Sequence, residues 1–165
     1  LLRDATIPYN LANSYEAIEL AERAIPHYEE AVRFDERFYP AYNNLARLYL
    51  RRHQSKEALA LGEKAYQLVS QEEGYNLEKA VILKNLAWAQ LEQANYDLAT
   101  RYTTLALSLE PKLAAAHCLV ALINEAQHRA TLNQWRACLR YDSGQDQIEP
   151  AWRAQARERL ANQAD

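Results

Sequence analysis

YPAYNNLARLYLRRHQSKEALALGEKAYQLV, residues 39–69, decides the fold. In its first half Leu45, Ala46 and Tyr49 are spaced by one and three residues and form one stripe of a helix. In its second half Ala58 and Ala65 stand seven apart, two turns on along one face of a second helix. Small residues at those places let two helix backbones approach closely. The pattern is not local: Asn44-Leu45-Ala46 repeats Asn10-Leu11-Ala12 at an offset of 34, and Tyr49, Ala58 and Ala65 answer to Tyr15, Ala24 and Ala31 at the same offset. Asn85-Leu86-Ala87 returns the triplet 41 residues further on, followed by Ala99 and Ala106 at the same internal distances, and Val120-Ala121 ends a looser fourth copy. Each copy is a helical hairpin whose apolar face is buried by stacking on its neighbours.

Composition agrees. The 165 residues hold 29 alanines and 24 leucines against ten valines and isoleucines, and only 3 glycines, a balance that favours helix and leaves little material for a sheet. The length suits one folding unit, 1–165, with a core that needs no disulfide or metal. A net charge of -3 gives no general attraction for polyphosphate, so nucleic acid is not an expected partner. The most apolar stretch, Leu113 to Ile123, is interrupted by His117 and is about half a membrane span, so no membrane partner is expected either. Cys118 and Cys138 make no disulfide framework and lack metal-ligand spacing, which suits a reducing compartment and predicts a cytoplasmic location. The chain starts at Leu1 and contains no methionine, so a piece of a longer polypeptide is the expectation.

With Leu at the seventh position of each copy, a small residue at the eighth, an aromatic at the eleventh, Ala at the twentieth and twenty-seventh and Pro at the thirty-second, the pattern resembles the tetratricopeptide repeat (TPR) family. The copy from Tyr39 supplies Tyr42, Leu45, Ala46, Tyr49, Ala58 and Ala65; the copy from Ala80 supplies Leu83, Leu86, Ala87, Ala99, Ala106 and Pro111. The copy from Ala5 matches through Leu11, Ala12, Tyr15, Ala24, Tyr28 and Ala31 but carries Pro26, which predicts a kink or a late start in its second helix. The resemblance implies an all-α fold, an α-solenoid wound as a right-handed superhelix of about four hairpins, 5–38, 39–72, 80–113 and 114–143, with a capping helix at 147–162.

Boundary signals refine this. Pro40 and Pro111 suit first helical turns, and Ser55, Asn95 and Asn133 are placed to cap second helices. The seven extra residues between the second and third copies are close to two turns, so the helices flanking Ser70 to Lys79 are each expected to be a turn longer, with Gly74 between them. The stretch from Ala114 to Arg129 is expected to be one turn longer as well. Asp146 with Glu149 reads as a capping box after Gly144, starting a last helix with Ile148, Trp152, Ala156 and Leu160 inward and Arg153, Arg157, Glu158 and Arg159 outward.

The resemblance further implies that the first helix of each hairpin lines a concave groove. Carried over by position, that groove presents Tyr9, Asn10, Asn13 and Glu16, then Asn43, Asn44, Arg47, Leu50 and Arg51, then Lys84, Asn85, Trp88 and Glu92, then Cys118, Leu119, Leu122 and Glu125. Asparagine amides both donate to and accept from an extended backbone, so Tyr9, Asn13, Asn43, Asn44, Arg47, Arg51, Lys84, Asn85, Trp88 and Leu122 are the expected peptide contacts. Arg47, Arg51 and Lys84 would favour an acidic segment. Asn44 and Asn85 belong to the repeat itself and suit bonding between neighbouring helices equally well. Of the chaperone-tail clamp found in some members, Asn13 and Asn44 match, whereas Tyr9, Val81 and Asn85 stand where its lysines and arginine belong. The apolar half of the groove, Trp88, Leu119 and Leu122, is either a partner site or, by preference, covered by the last helix through Ile148 and Trp152.

No cofactor is expected. Gly62, Gly74 and Gly144 are too scattered to cradle a phosphate. Glu125 and His128 lack the second pair that a helical di-metal site needs, so no metal is expected. His117 and Cys118, adjacent on a helix, point about 100° apart and do not form a dyad. The reading is therefore a non-catalytic scaffold that binds an extended peptide segment of a partner protein. The alternatives are a regulatory segment of a larger enzyme or signalling protein with its groove occupied in cis, and a self-association module.

Overall fold

The computed structural model describes residues 4–144 and 148–162. Among them are nine helices and no strand: α1 (Thr6–Ala17), α2 (Ala21–Phe34), α3 (Tyr39–Arg51), α4 (Ser55–Val69), α5 (Asn76–Glu92), α6 (Tyr96–Leu109), α7 (Ala114–Ala126), α8 (Leu132–Arg140) and α9 (Pro150–Ala161). They form two compact units, divided between Tyr75 and Asn76.

The N-terminal unit pairs α1 with α2 and α3 with α4, and α2 packs against α3. Its core is built on the repeat's small residues. Ala12, Ala24 and Ala31 of the first hairpin are fully buried with Tyr28, and Ala41, Leu45 and Leu48 of α3 join the same cluster. In the C-terminal unit α5 pairs with α6, α7 with α8, and α9 packs on α8 and α7. Ala46, Ala58, Ala87 and Ala99, the residues that carry the repeat, are all buried. A methyl in place of a larger side chain is what allows paired helices to close to van der Waals distance.

The turns inside the hairpins repeat as faithfully as the core. Glu19, His53, Ala94 and His128 each adopt a left-handed conformation, with φ between 55 and 61°. Their amide N–H groups donate to the carbonyls of Glu16, Leu50, Leu91 and Glu125, and the next residues reach back to Tyr15, Tyr49, Gln90 and Asn124. The first helix of every hairpin thus ends in the same way, its orphan carbonyls satisfied by the turn. None of the four is glycine, so each carries the Cβ penalty of that conformation.

Several boundaries differ from expectation. α5 is lengthened by a turn at its start, but α4 ends at Val69 and is only one residue longer than α2; the remaining extra residues form the connector, where Gly74 takes φ 81°. α7 has 13 residues, the same as α3, so the additional residues of the fourth copy form a loop. The second helices are not capped by the expected side chains. Ser55 is the first residue of α4, Asn133 lies inside α8, and Asn95 precedes α6 but turns its amide to Gln90 Oε1 at 2.8 Å. Pro40 opens α3, while Pro111 lies in the connector ahead of α7 and Pro150 opens α9. α2 starts at Ala21 and runs through Pro26, so its start is not delayed. Of the capping box, Glu149 directly precedes α9, and Asp146 and Gln147 lie outside the described residues.

The cysteines depart most from expectation. Cys118 of α7 and Cys138 of α8 are joined by a disulfide, with Cα atoms 4.9 Å apart. The premise that both remain thiols is corrected. Pairing of the two helices brings these buried positions face to face, a geometry that their separation in sequence does not disclose. Disulfides persist in oxidising compartments, so the cysteines lend no support to a cytoplasmic location.

Candidate functional site

In the N-terminal unit, α1, α2 and α3 bring a set of polar side chains together. Tyr28 projects from α2 with its ring fully buried, and its hydroxyl lies 2.6 Å from both Glu16 Oε1 and Asn13 Oδ1. Asn44 on α3 donates its amide to the Tyr28 hydroxyl at 3.0 Å and to Asn13 Oδ1 at 3.3 Å, with the Tyr9 hydroxyl at 3.5 Å. Arg47, one turn further along α3, donates through Nη2 to Glu16 Oε2 at 2.5 Å, and Arg51 Nη1 lies 3.8 Å from the same oxygen. Burial, and then the Glu16 carboxylate beside it, pushes the Tyr28 phenol far above its ordinary value. Tyr9 completes the floor, its ring 5.6 Å from that of Tyr28 and 5.1 Å from that of Phe38.

Six expected contacts, Tyr9, Asn13, Asn43, Asn44, Arg47 and Arg51, belong to this unit, and four of them meet in one network with Glu16 and Tyr28, while Arg51 stands at its edge. Asn44 bonds neighbouring helices, one of its two expected roles. Asn43, Asn44 and Arg47 are buried, Tyr9 and Asn13 are half-buried, and Arg51 is exposed. Among the described residues Arg47 Nε, which is buried, has no hydrogen-bond partner. Glu16 is the hub that the sequence pattern undervalued. The signal for it is its place one turn after Asn13 on the face that α3 meets.

In the C-terminal unit the expected contacts are engaged internally. Lys84 is completely buried and donates to Asn85 Oδ1 at 2.6 Å. The Trp88 ring meets that of Trp152 on α9 edge to face, with centroids 4.7 Å apart. Leu119 is buried and Leu122 half-buried. Glu125 on α7 accepts from Trp135 Nε1 at 2.9 Å, Gln155 Nε2 at 2.8 Å and Arg159 Nε at 2.8 Å. Burial pushes the Glu125 carboxyl up, but the bonds from Arg159, Trp135 and Gln155 outweigh it and leave the group below its ordinary value. Asp142 accepts from Arg153 Nε at 2.6 Å and Nη2 at 3.0 Å, and Arg153 holds its carboxyl low. Arg153 and Arg159 are therefore not left to solvent as expected: they latch α9, and of the expected inward stripe Ile148, just ahead of α9, and Trp152 and Ala156 are buried while Leu160 is half-buried. The last helix covers Trp88, the covering preferred from the sequence.

Among the described residues no group of three or more His, Cys, Asp or Glu side chains is placed to hold a metal ion. Glu125 is occupied by α9 and Trp135, the His117 ring nitrogens face Pro111 O and Gln134 Oε1, and Cys118 is in the disulfide. No described helix is long and apolar enough to cross a membrane.

Comparison with known proteins places this architecture. A family model described as tetratricopeptide repeat matches residues 37–112. No curated protein matches the sequence. Among solved structures the chain is similar to YrrB, described as a TPR protein with an unusual peptide-binding site (24% identity, 86% of this chain and 71% of that one, TM-score 0.63). It is also similar to the N-terminal domain of stress-induced protein-1 from C. elegans (22% identity, 72% and 93% covered, TM-score 0.60) and to MamA (17% identity, 84% and 73% covered, TM-score 0.66). The chain is an all-α protein of the tetratricopeptide solenoid fold, and a tetratricopeptide repeat family model matches its residues 37–112.

Proposed function

We propose that this chain is a non-catalytic protein–protein interaction module whose N-terminal unit holds an extended peptide segment of a partner protein against α1 and α3. The two guanidiniums at the edge of the network carry the reading: Arg47 and the exposed Arg51 share the single carboxylate of Glu16, at 2.5 and 3.8 Å, a surplus of positive charge that a carboxylate of an acidic peptide would meet. Arg51, Asn13 and Tyr9 stand beside Arg47 with part of their surface open, and Asn43 and Asn44 lie behind them. Glu16 against Arg47 and Arg51 leaves one net positive charge, which favours an acidic segment. The network is set before binding, so the ligand bears most of the ordering cost. The peptide-binding site named for YrrB, on the same fold, supports the reading.

Lys84, Asn85 and Trp88 are buried in the C-terminal unit, Trp88 against Trp152 of α9, and are assigned to its interior. A second reading, occupation of an inner surface in cis, is favoured by α9 itself, whose Trp152 sits on Trp88.

Selection from a displayed library of extended peptides tests the proposal. Bound sequences are expected to be acidic, and Arg51→Glu or Asn13→Ala is expected to weaken them at least about tenfold, one lost charge-assisted bond. No selected peptide, or affinities indifferent to both substitutions, rejects the assignment.

A further inference from the structure

The second helix of the fourth hairpin differs from its counterparts in charge. α2 mixes Glu22 and Glu29 with Arg23 and Arg33, α4 mixes Glu57 and Glu63 with Lys56 and Lys64, and α6 sets Asp97 against Arg101. α8 carries Arg136 and Arg140 alone, and the whole stretch between Glu125 and Asp142 contains neither Asp nor Glu. Those two flanking carboxylates are taken, Glu125 by Arg159 and Asp142 by Arg153. Arg129, Arg136 and Arg140 are exposed, and among the described residues no carboxylate lies within ion-pair distance of any of them. They form one row. Arg136 and Arg140 stand one turn apart on the same face of α8, about 6 Å between Cβ atoms. Asn133 Oδ1 accepts from Arg136 Nη1 at 3.3 Å, and Asn133 and Arg129 line the same cleft at the start of the helix. Arg140, in the last turn, also complements the helix dipole, but that effect fades within a turn and does not account for Arg136 or Arg129.

We propose that the arginine row of α8 is a second docking surface, and that it takes an acidic segment of a partner protein through paired bonds from guanidinium to carboxylate. The residue type supports this. All five lysines lie at or before Lys112, and from Leu113 onward the chain holds six arginines and no lysine. A planar guanidinium fork matches a carboxylate through two parallel bonds, which a flexible ammonium does not. The same hairpin already uses that chemistry inward, where Arg153 grips Asp142 through Nε at 2.6 Å and Nη2 at 3.0 Å. The spacing fits as well: carboxylates on alternate residues of an extended segment stand about 6.6 Å apart, close to the separation of Arg136 from Arg140. A polyanion is disfavoured. Three arginines neutralise about three phosphates, too few for firm binding at physiological salt, and a chain of net charge -3 is repelled by nucleic acid or an anionic membrane as a whole.

Fluorescence anisotropy of a labelled hexaglutamate peptide, titrated with the whole chain at low and at physiological salt, tests this. Binding is expected at low salt and is expected to weaken as salt rises. Arg136→Gln with Arg140→Gln is expected to weaken it at least about tenfold with unchanged helical content, because both side chains are exposed. Arg136→Lys with Arg140→Lys keeps the charge, loses the forks and is expected to fall between the two. Arg51→Glu, which removes the net positive charge of the N-terminal network, is expected to leave this binding in place, so the two sites are read separately. Should the glutamine variant melt early, Arg129→Gln with Arg136→Gln provides the same test. No binding at low salt overturns the proposal. Binding that survives the glutamine substitutions and is lost with Arg51→Glu overturns it in favour of the N-terminal network. A lysine pair that binds as tightly as the arginines refutes the paired bonds. A DNA duplex or an anionic vesicle bound more tightly than the peptide at physiological salt overturns the acidic protein segment in favour of a polyanion.

Discussion

Replacing Tyr28 by Phe removes one oxygen from the most connected point of the N-terminal unit and leaves the ring in place. Glu16 Oε1 loses a donor at 2.6 Å, and Asn44 loses an acceptor at 3.0 Å, keeping the weaker contacts to Asn13 at 3.3 Å and to the Tyr9 hydroxyl at 3.5 Å. A hydrogen bond to a charged group contributes about 1.5–3 kcal/mol, and a buried donor left short costs part of a further 1–3 kcal/mol. Glu16 retains Arg47 on its other oxygen, which limits the damage, so the expected loss is about 2–4 kcal/mol. Urea unfolding followed by far-ultraviolet circular dichroism reads it, since the three tryptophans all lie in the C-terminal unit and do not report on this one. Asn44→Ala in the same background should couple to the first substitution by about 0.5–3 kcal/mol. The phenol also makes the wild type sensitive to alkali. Its folded-state value is raised, so below about 10, where the unfolded tyrosine titrates, its contribution is fully present. Above that the unfolded state releases a proton that the folded state keeps, and stability falls with rising pH. Tyr28→Phe should flatten that decline. A loss under about 0.5 kcal/mol, within the range of ordinary surface substitutions, together with an unchanged alkaline limb, would refute the view that this network is a dry, connected structure.

Three further outcomes are expected. In acid, Glu125 and Asp142 have folded-state values below the ordinary range, so the hold of α9 is intact above about pH 4 and is lost as pH falls through the depressed values; tryptophan emission should shift as Trp152 leaves Trp88, and Arg153→Ala with Arg159→Ala should raise the pH of that shift. Thiol titration of the native chain should find no free cysteine, and reduction should destabilise the C-terminal unit by about 3 kcal/mol, the loop-closure contribution for a crosslink of this span. Ala94→Gly removes the Cβ penalty at φ 58° and should stabilise the same unit by up to about 1 kcal/mol, read as a higher melting temperature; a lower one would show that the turn is not strained.

How far the sequence is legible depends on whether a feature belongs to the repeat. Ala46, Ala58, Ala87 and Ala99 were readable because close helix packing demands a small residue at a fixed interval, and period alone reveals it. The burial of Lys84 was not readable: its position in the repeat is a groove position, and only the neighbouring helices decide whether a groove position sees water. The bond between Cys118 and Cys138 depends on how α7 lies against α8. The spacing of α9 gave its apolar stripe correctly but assigned Arg153 and Arg159 to solvent, because Asp142 and Glu125, which draw them in, are remote along the chain.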